Sequence, residues 1–199
     1  MSNKKIIINI SHGFQARMLL RTDIASRLIE LGNELVVIAP NAGEEYFRAE
    51  MNKLGVILEK SPFRTTKIER YISKYRQIFL MNPALNKSMN YKKQLIKRQS
   101  LLLYYFARSF NLILGNIPIL RKFFLQIEAK IFKGKEYDAV LEKYDPILVI
   151  CGTPGYIHQD SHLIRAARRK NILSVTVMKS WDNLTSKGYM GAFTDRLLV

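Results

Sequence analysis

The sequence predicts an α/β protein: a parallel sheet whose strand–helix alternation is interrupted by a basic helical insertion. Three observations carry that reading. Short apolar runs alternate with helix-spaced stripes through the first 60 residues, and again from Pro146 onward. No clear strand pattern lies between residues 65 and 134. The charge is also segregated. The chain carries +16, and between Arg64 and Lys135 there are 16 Lys and Arg against Glu69 and Glu128 only, or +14, which leaves +2 elsewhere. The basic character therefore belongs to one segment and not to the fold.

The elements follow in order. Residues 5–10 form a short apolar run suited to a strand buried on both faces. Leu20, Ile24, Leu28 and Leu31 recur at helical spacing, with Gly32 as a stop. Residues 35–39 make a second strand closed by Pro40-Asn41, residues 44–54 a helix ended by Gly55, and residues 56–58 a third strand. In the insertion, Ile119, Phe123, Ile127 and Ile131 lie four apart with basic residues beside them, and Asn116-Ile117-Pro118 reads as a helix start. The rhythm resumes with a strand at 147–150, a tight loop, a helix at 158–170 and a strand at 173–178. Residues 195–199 begin a further strand with no helix to cover it, so a fragment of a longer protein is expected. Alternation of this kind predicts right-handed crossovers.

A chain of 199 residues, 48% apolar, suits one domain with a sizeable core. Cys151 is the single cysteine and has neither a disulfide partner nor zinc-type spacing, so it reads as a buried thiol at a strand end in a reducing compartment. No metal site and no cofactor are implied. After Lys4-Lys5 the apolar run is only Ile6-Ile7-Ile8 before Asn9, too short for a signal peptide. The longest uncharged stretch of the basic segment, residues 109–120, falls short of the ~20 residues needed to cross a bilayer.

Three loops at predicted strand ends hold the candidate chemistry, because open α/β sheets bind ligands there. The first is Ser11-His12-Gly13-Phe14-Gln15-Ala16-Arg17. It contains no dinucleotide or P-loop fingerprint. His12 reads either as a general base or as a hydrogen-bonded structural residue; Arg17 and Arg21 hold an anionic group or are simply solvated. The second is Gly152-Thr153-Pro154-Gly155 followed by His158, either a ligand-binding turn with room for close approach or a plain strand-to-helix connection. The third, Ser180-Trp181-Asp182-Asn183-Leu184-Thr185-Ser186-Lys187-Gly188, holds the only Trp among many hydrogen-bonding side chains. That loop points to a sugar or phosphorylated sugar, with Trp181 stacking or packing, Asn183 and Thr185 beside it, and Asp182 or Lys187 on a hydroxyl or phosphate.

The basic segment has three readings: a solvated face, nucleic-acid binding, or attachment to a membrane surface. No nucleic-acid module is present, and no nucleic-acid partner is expected. Basic residues beside Leu, Phe and Tyr on helices favour an anionic lipid surface.

Gly13-Phe14-Gln15-Ala16-Arg17 with Leu20-Arg21-Thr22-Asp23, together with the Trp181 loop, resemble recurrent segments of GT-B glycosyltransferases that build bacterial surface polysaccharides. The resemblance extends over the whole chain and is to the N-terminal, acceptor-side half of such enzymes. It implies a Rossmann-like domain at residues 1–199 with the insertion at 65–134 within it. It further implies His12 as catalytic base, with Asp182 as the second candidate. The acceptor site would draw on Gly13, Arg17, Arg21, Gly152, Thr153, Gly155, His158, Trp181, Asn183, Thr185 and Lys187. The expected partners are a nucleotide-sugar donor, bound by a further domain or partner subunit, and a lipid-linked or saccharide acceptor. The expected place is cytoplasmic, at the inner face of the plasma membrane. The second Rossmann-like domain of that family is not within these residues, which leaves a non-catalytic docking module as an alternative. The architecture is also shared by non-hydrolysing sugar epimerases.

Overall fold

The computed structural model describes residues 4–79, 87–114, 116–178 and 190–199. Six strands, β1 Lys4–Asn9, β2 Asn33–Ala39, β3 Ile57–Lys60, β4 Leu148–Cys151, β5 Leu173–Val177 and β6 Arg196–Leu198, pair side by side. All pairings are parallel, in the order β3-β2-β1-β4-β5-β6. This is the order of a doubly wound, Rossmann-like sheet. The helices, in chain order, are α1 Gly13–Leu20, α2 Asp23–Glu30, α3 Glu45–Lys53, α4 Lys67–Phe79, α5 Lys87–Gln99, α6 Leu101–Leu114, α7 Pro118–Ile131, α8 Asp138–Tyr144 and α9 His158–Arg169.

The sheet belongs to a unit of residues 1–64, 133–179 and 192–199. Strand β1 lies at its centre, with Ile6 opposite Leu35 of β2 on one side and Leu148 of β4 on the other. Its isoleucines and the Leu35–Ala39 run of β2 are buried, because helices cover both faces and an unbroken apolar run can then serve as a strand. On one face Ile6, Ile8, Leu35 and Val37 meet Leu19, Ala25, Phe47 and Met51 of α1–α3. On the other, Ile7, Val36 and Val149 meet Leu141 of α8 and Leu163 and Ile164 of α9. At the β6 side, the Asp195 carboxylate accepts from Ser174 N (2.8 Å) and Oγ (2.6 Å) and fixes where β6 joins β5.

The stripe from Leu20 to Leu31 is divided between two helices. Thr22 stops the first and caps the second: its hydroxyl donates to Met18 O (2.7 Å) and accepts from Ile24 N (3.5 Å). Side-chain capping of this kind satisfies a helix N-terminus and outweighs a continuous apolar period.

The connection from β3 to β4 carries the helical segment, and residues 65–132 belong to a second unit together with residues 180–191. Within it α6 packs against α4, α5 and α7. Its interior is unusually polar. Arg76, 1% exposed, pairs with buried Glu128 and reaches Ser73 Oγ at 3.2 Å. Asn111 is buried too, as are Ala107 and Leu125. Many large apolar side chains lie outside: Leu102 is 84% exposed and Ile119 72%, with Phe123, Ile127 and Ile131 of the same stripe also exposed. No helix among the described residues is long and apolar enough to cross a membrane.

Gly134 opens the short 3-10 turn Lys135–Tyr137 at φ 70°, and a Cβ there would lie 2.0 Å from the carbonyl oxygen of His162 on α9. Gly134→Ala is therefore expected to cost at least about 2 kcal/mol, a fall in Tm of roughly 4–8 °C. Gly43→Ala, with nothing within 4 Å of its Cβ, is expected to be near neutral. Thermal melts of the two variants compare them directly; equal Tm values would show that the turn does not press on α9.

Candidate functional site

Strand order reverses between β1 and β4, since β2 and β3 extend one way and β5 and β6 the other. In open α/β sheets the loops that leave such a point diverge and open a crevice at the strands' carboxyl ends. Here those loops are Ser11–His12 before α1 and residues 152–157 before α9.

Asn9, the last residue of β1, is buried directly after the apolar run Ile6-Ile7-Ile8. Its Nδ2 donates to Asp160 Oδ1 at 2.6 Å, and its Oδ1 accepts from Gln159 Nε2 at 2.9 Å. Asp160 lies in the first turn of α9, where unpaired backbone N–H groups favour negative charge. Its second oxygen accepts from Thr153 Oγ1 (2.7 Å) and Gln15 Nε2 (3.0 Å). Gln15 in turn accepts from Ser11 N (2.6 Å) and Oγ (2.7 Å), while the Thr153 hydroxyl also accepts from Ile157 N (3.4 Å). One carboxylate thus ties the ends of β1 and β4, the first turn of α1 and both loops.

Gly152 completes the fit. A Cβ at that position would stand 2.4 Å from Cγ and Nε2 of Gln15, so only glycine lets the Gln15 amide lie across the loop. Burial pushes the Asp160 carboxyl up to about 6, against three side-chain donors that favour its ionised form. It is charged at neutral pH and gains a proton in mild acid. Cys151, fully buried at the end of β4, has its thiol pushed well above the ordinary range by burial and stays protonated.

The residues singled out from sequence fall at different places. His12 precedes α1 with an extended backbone; its side chain does not cap the helix and is exposed. Gly13 beside it is exposed with open space around its Cβ position. Thr153 and Gly152 are buried in the network, Gly155 is buried at φ 77°, and His158 begins α9. Arg17 is exposed on α1. Arg21 makes a two-pronged pair with Glu50 of α3, Nε to Oε1 at 2.6 Å and Nη2 to Oε2 at 2.9 Å, so its charge is matched within the fold. Trp181, Asp182, Asn183, Thr185 and Lys187 lie outside the described residues. Asn9, Gln15, Gln159 and Asp160 were not singled out; their signal is a polar residue closing an apolar strand and a polar run opening the helix after β4.

A buried polar network therefore fixes both loops, and His12, in the loop after β1, is exposed. The N-termini of α1 and α9 supply backbone donors there, which suits hydroxyls and anionic groups. Among the described residues, no three His, Cys, Asp or Glu side chains gather as metal ligands. In comparisons with known proteins, no family model, no curated protein and no solved structure matches this chain.

The raised Asp160 value has a signed consequence. An ordinary aspartate titrates near ~3.9 when unfolded, so between about pH 4 and 6 the folded chain holds the extra proton. This group's contribution to stability is greatest below about pH 4 and is lost as pH rises through 6, by about 3 kcal/mol. The stability of the natural chain relative to Asp160→Asn should fall by about 2 kcal/mol from pH 4 to 7. Urea unfolding at intervals across the range measures it, and a constant difference would mean the buried carboxyl titrates normally.

Proposed function

We propose that this chain is the acceptor-binding side of a glycosyltransferase that moves a sugar from a nucleotide-sugar to a lipid-linked or polysaccharide acceptor at a membrane surface. The observation that carries the reading is the reversal of strand order between β1 and β4, with exposed His12 in the loop after β1 and the Asp160 network locking that loop to the one after β4. A saccharide hydroxyl needs donors and acceptors fixed in advance and a base within reach. The Asp160 network fixes both loops, and the His12 imidazole is exposed to accept a proton. As the acceptor oxygen bonds to the anomeric carbon, its proton passes to His12 and the nucleoside diphosphate departs. The donor's phosphates would be held by a nucleotide-binding domain or partner subunit. Asp182, Asn183, Thr185, Lys187 and Trp181 remain part of the proposed acceptor site on sequence grounds.

A second reading, a module that docks on anionic membrane, draws support from the helical unit. Its apolar stripe Ile119, Phe123, Ile127 and Ile131 is exposed beside Arg121, Lys122 and Lys130. Such a face combines shallow insertion with attraction to lipid head groups, roughly 1 kcal/mol for each basic residue near the surface. The two readings describe different parts of the chain and are compatible.

Two measurements test them. In the transferase reconstituted with its donor-binding part, His12→Ala should lower kcat about 10²–10⁴-fold while acceptor affinity stays within a few-fold, and Gly152→Val should weaken acceptor binding by displacing Gln15. A fully active His12→Ala enzyme would remove His12 from the chemistry. Separately, the chain should co-sediment with vesicles containing phosphatidylglycerol and release at high salt, and Phe123→Ser with Ile127→Ser should weaken this several-fold. Equal binding to neutral vesicles, or salt-independent binding, would sink the electrostatic account.

A further inference from the structure

Within the helical unit, α5 and α6 enclose a cavity of about 260 Å³. Ile96, Ala107 and Leu112 line its apolar part, and Lys93, Arg108 and Asn111 its polar part. Lys93 Nζ donates to Asn111 Oδ1 at 2.9 Å, which uses one of the three donors of an ammonium group. Burial, and then the nearby charge of Arg108, push Lys93 below the ordinary lysine range. Lys97 adds further positive charge, its ammonium 5.6 Å from the ring centre of Tyr104, which also lines the cavity. Among the described residues, no carboxylate lines the space. Glu69 and Glu128 are the acids of residues 65–132, and Glu128 is taken up by Arg76. Half-buried Lys93 and exposed Arg108 thus present two cations to one half-open space, and among the described residues no carboxylate lies between them, an arrangement that suits an anion.

We propose that this cavity binds a phosphate group. A guanidinium offers a planar fork to two phosphate oxygens, and a lysine ammonium adds a point charge; Arg108 and Lys93 supply one of each. The space is smaller than the ~300–1,000 Å³ that whole small molecules occupy. It therefore takes a phosphoryl head group with a short apolar neighbour against Ile96 and Leu112, and not a nucleotide. The phosphate belongs either to a lipid head group or to a free phosphate compound. Every residue involved lies in the helical unit, so the proposal stands independently of the crevice between β1 and β4.

The test uses the whole chain and two probes, inorganic phosphate and dihexanoyl phosphatidic acid below its micellar concentration, titrated by calorimetry. Saturable binding near one equivalent is expected. Lys93→Met and Arg108→Met should each weaken it tenfold or more, while Lys122→Met, which removes the same charge from α7, should change it less than twofold. Tighter binding of the phosphatidate assigns the lipid source, and equal or tighter binding of inorganic phosphate assigns the free one. In the unaltered chain, the bound probe should also slow acetylation of Lys93 and leave Lys122 as reactive as before. Absence of saturable binding by both probes, an equal loss in Lys122→Met, or unprotected Lys93 would overturn the proposal.

Discussion

The Asp160 carboxylate lies inside the sheet unit with donors from β1, α1 and the loop after β4 turned towards it, and the crevice depends on their staying there. Hydrogen bonds to a charged acceptor are about twice as strong as neutral ones, yet burial opposes the charge they serve. The balance leaves an ionised group that is only modestly comfortable. Removing any one donor leaves the same desolvation with less to offset it, which penalises buried polar groups more than the bond alone suggests. The loops are consequently coupled: a shift of Gln15 disturbs Ser11 on one side and Gly152 on the other.

The strands were legible because helices cover the central ones on both faces, and a run such as Ile6-Ile7-Ile8 has few other ways to hide. The parallel alternation and its long interruption were legible for the same reason. The break between α1 and α2 was not, because it rests on one hydroxyl at Thr22 and leaves the apolar period intact on both sides. The Asp160 network was hidden more thoroughly. Asn9 and Asp160 are 151 positions apart, and no local spacing couples them. Gly152 attracted notice as a place for a ligand to approach; its near neighbour turns out to be the side chain of Gln15.

The helical unit follows a different logic. A charged pair, Arg76 with Glu128, occupies its interior, and large apolar side chains face outward. Buried ion pairs add little net stability compared with apolar packing, while loss of one partner is severe. The unit therefore holds its helices in register through a small number of polar contacts and contributes a modest apolar core. Its outer surface is correspondingly free to carry both grease and charge.

The placement of that unit within the β3-to-β4 connection has a kinetic side. Ile8 and Ile150 pair across the middle of the sheet although they are 142 positions apart. Lengthening a closed loop costs only about 0.6 kcal/mol per doubling, so the finished protein hardly registers the extra chain between them. Assembly does register it, because distant pairings slow folding far more than they weaken the product. Helices α4 to α7 lie within one stretch of chain, whereas the β1–β4 seam closes only when both halves of the sheet have met. The crevice lies along that seam, so it is among the last features of the molecule to come into existence.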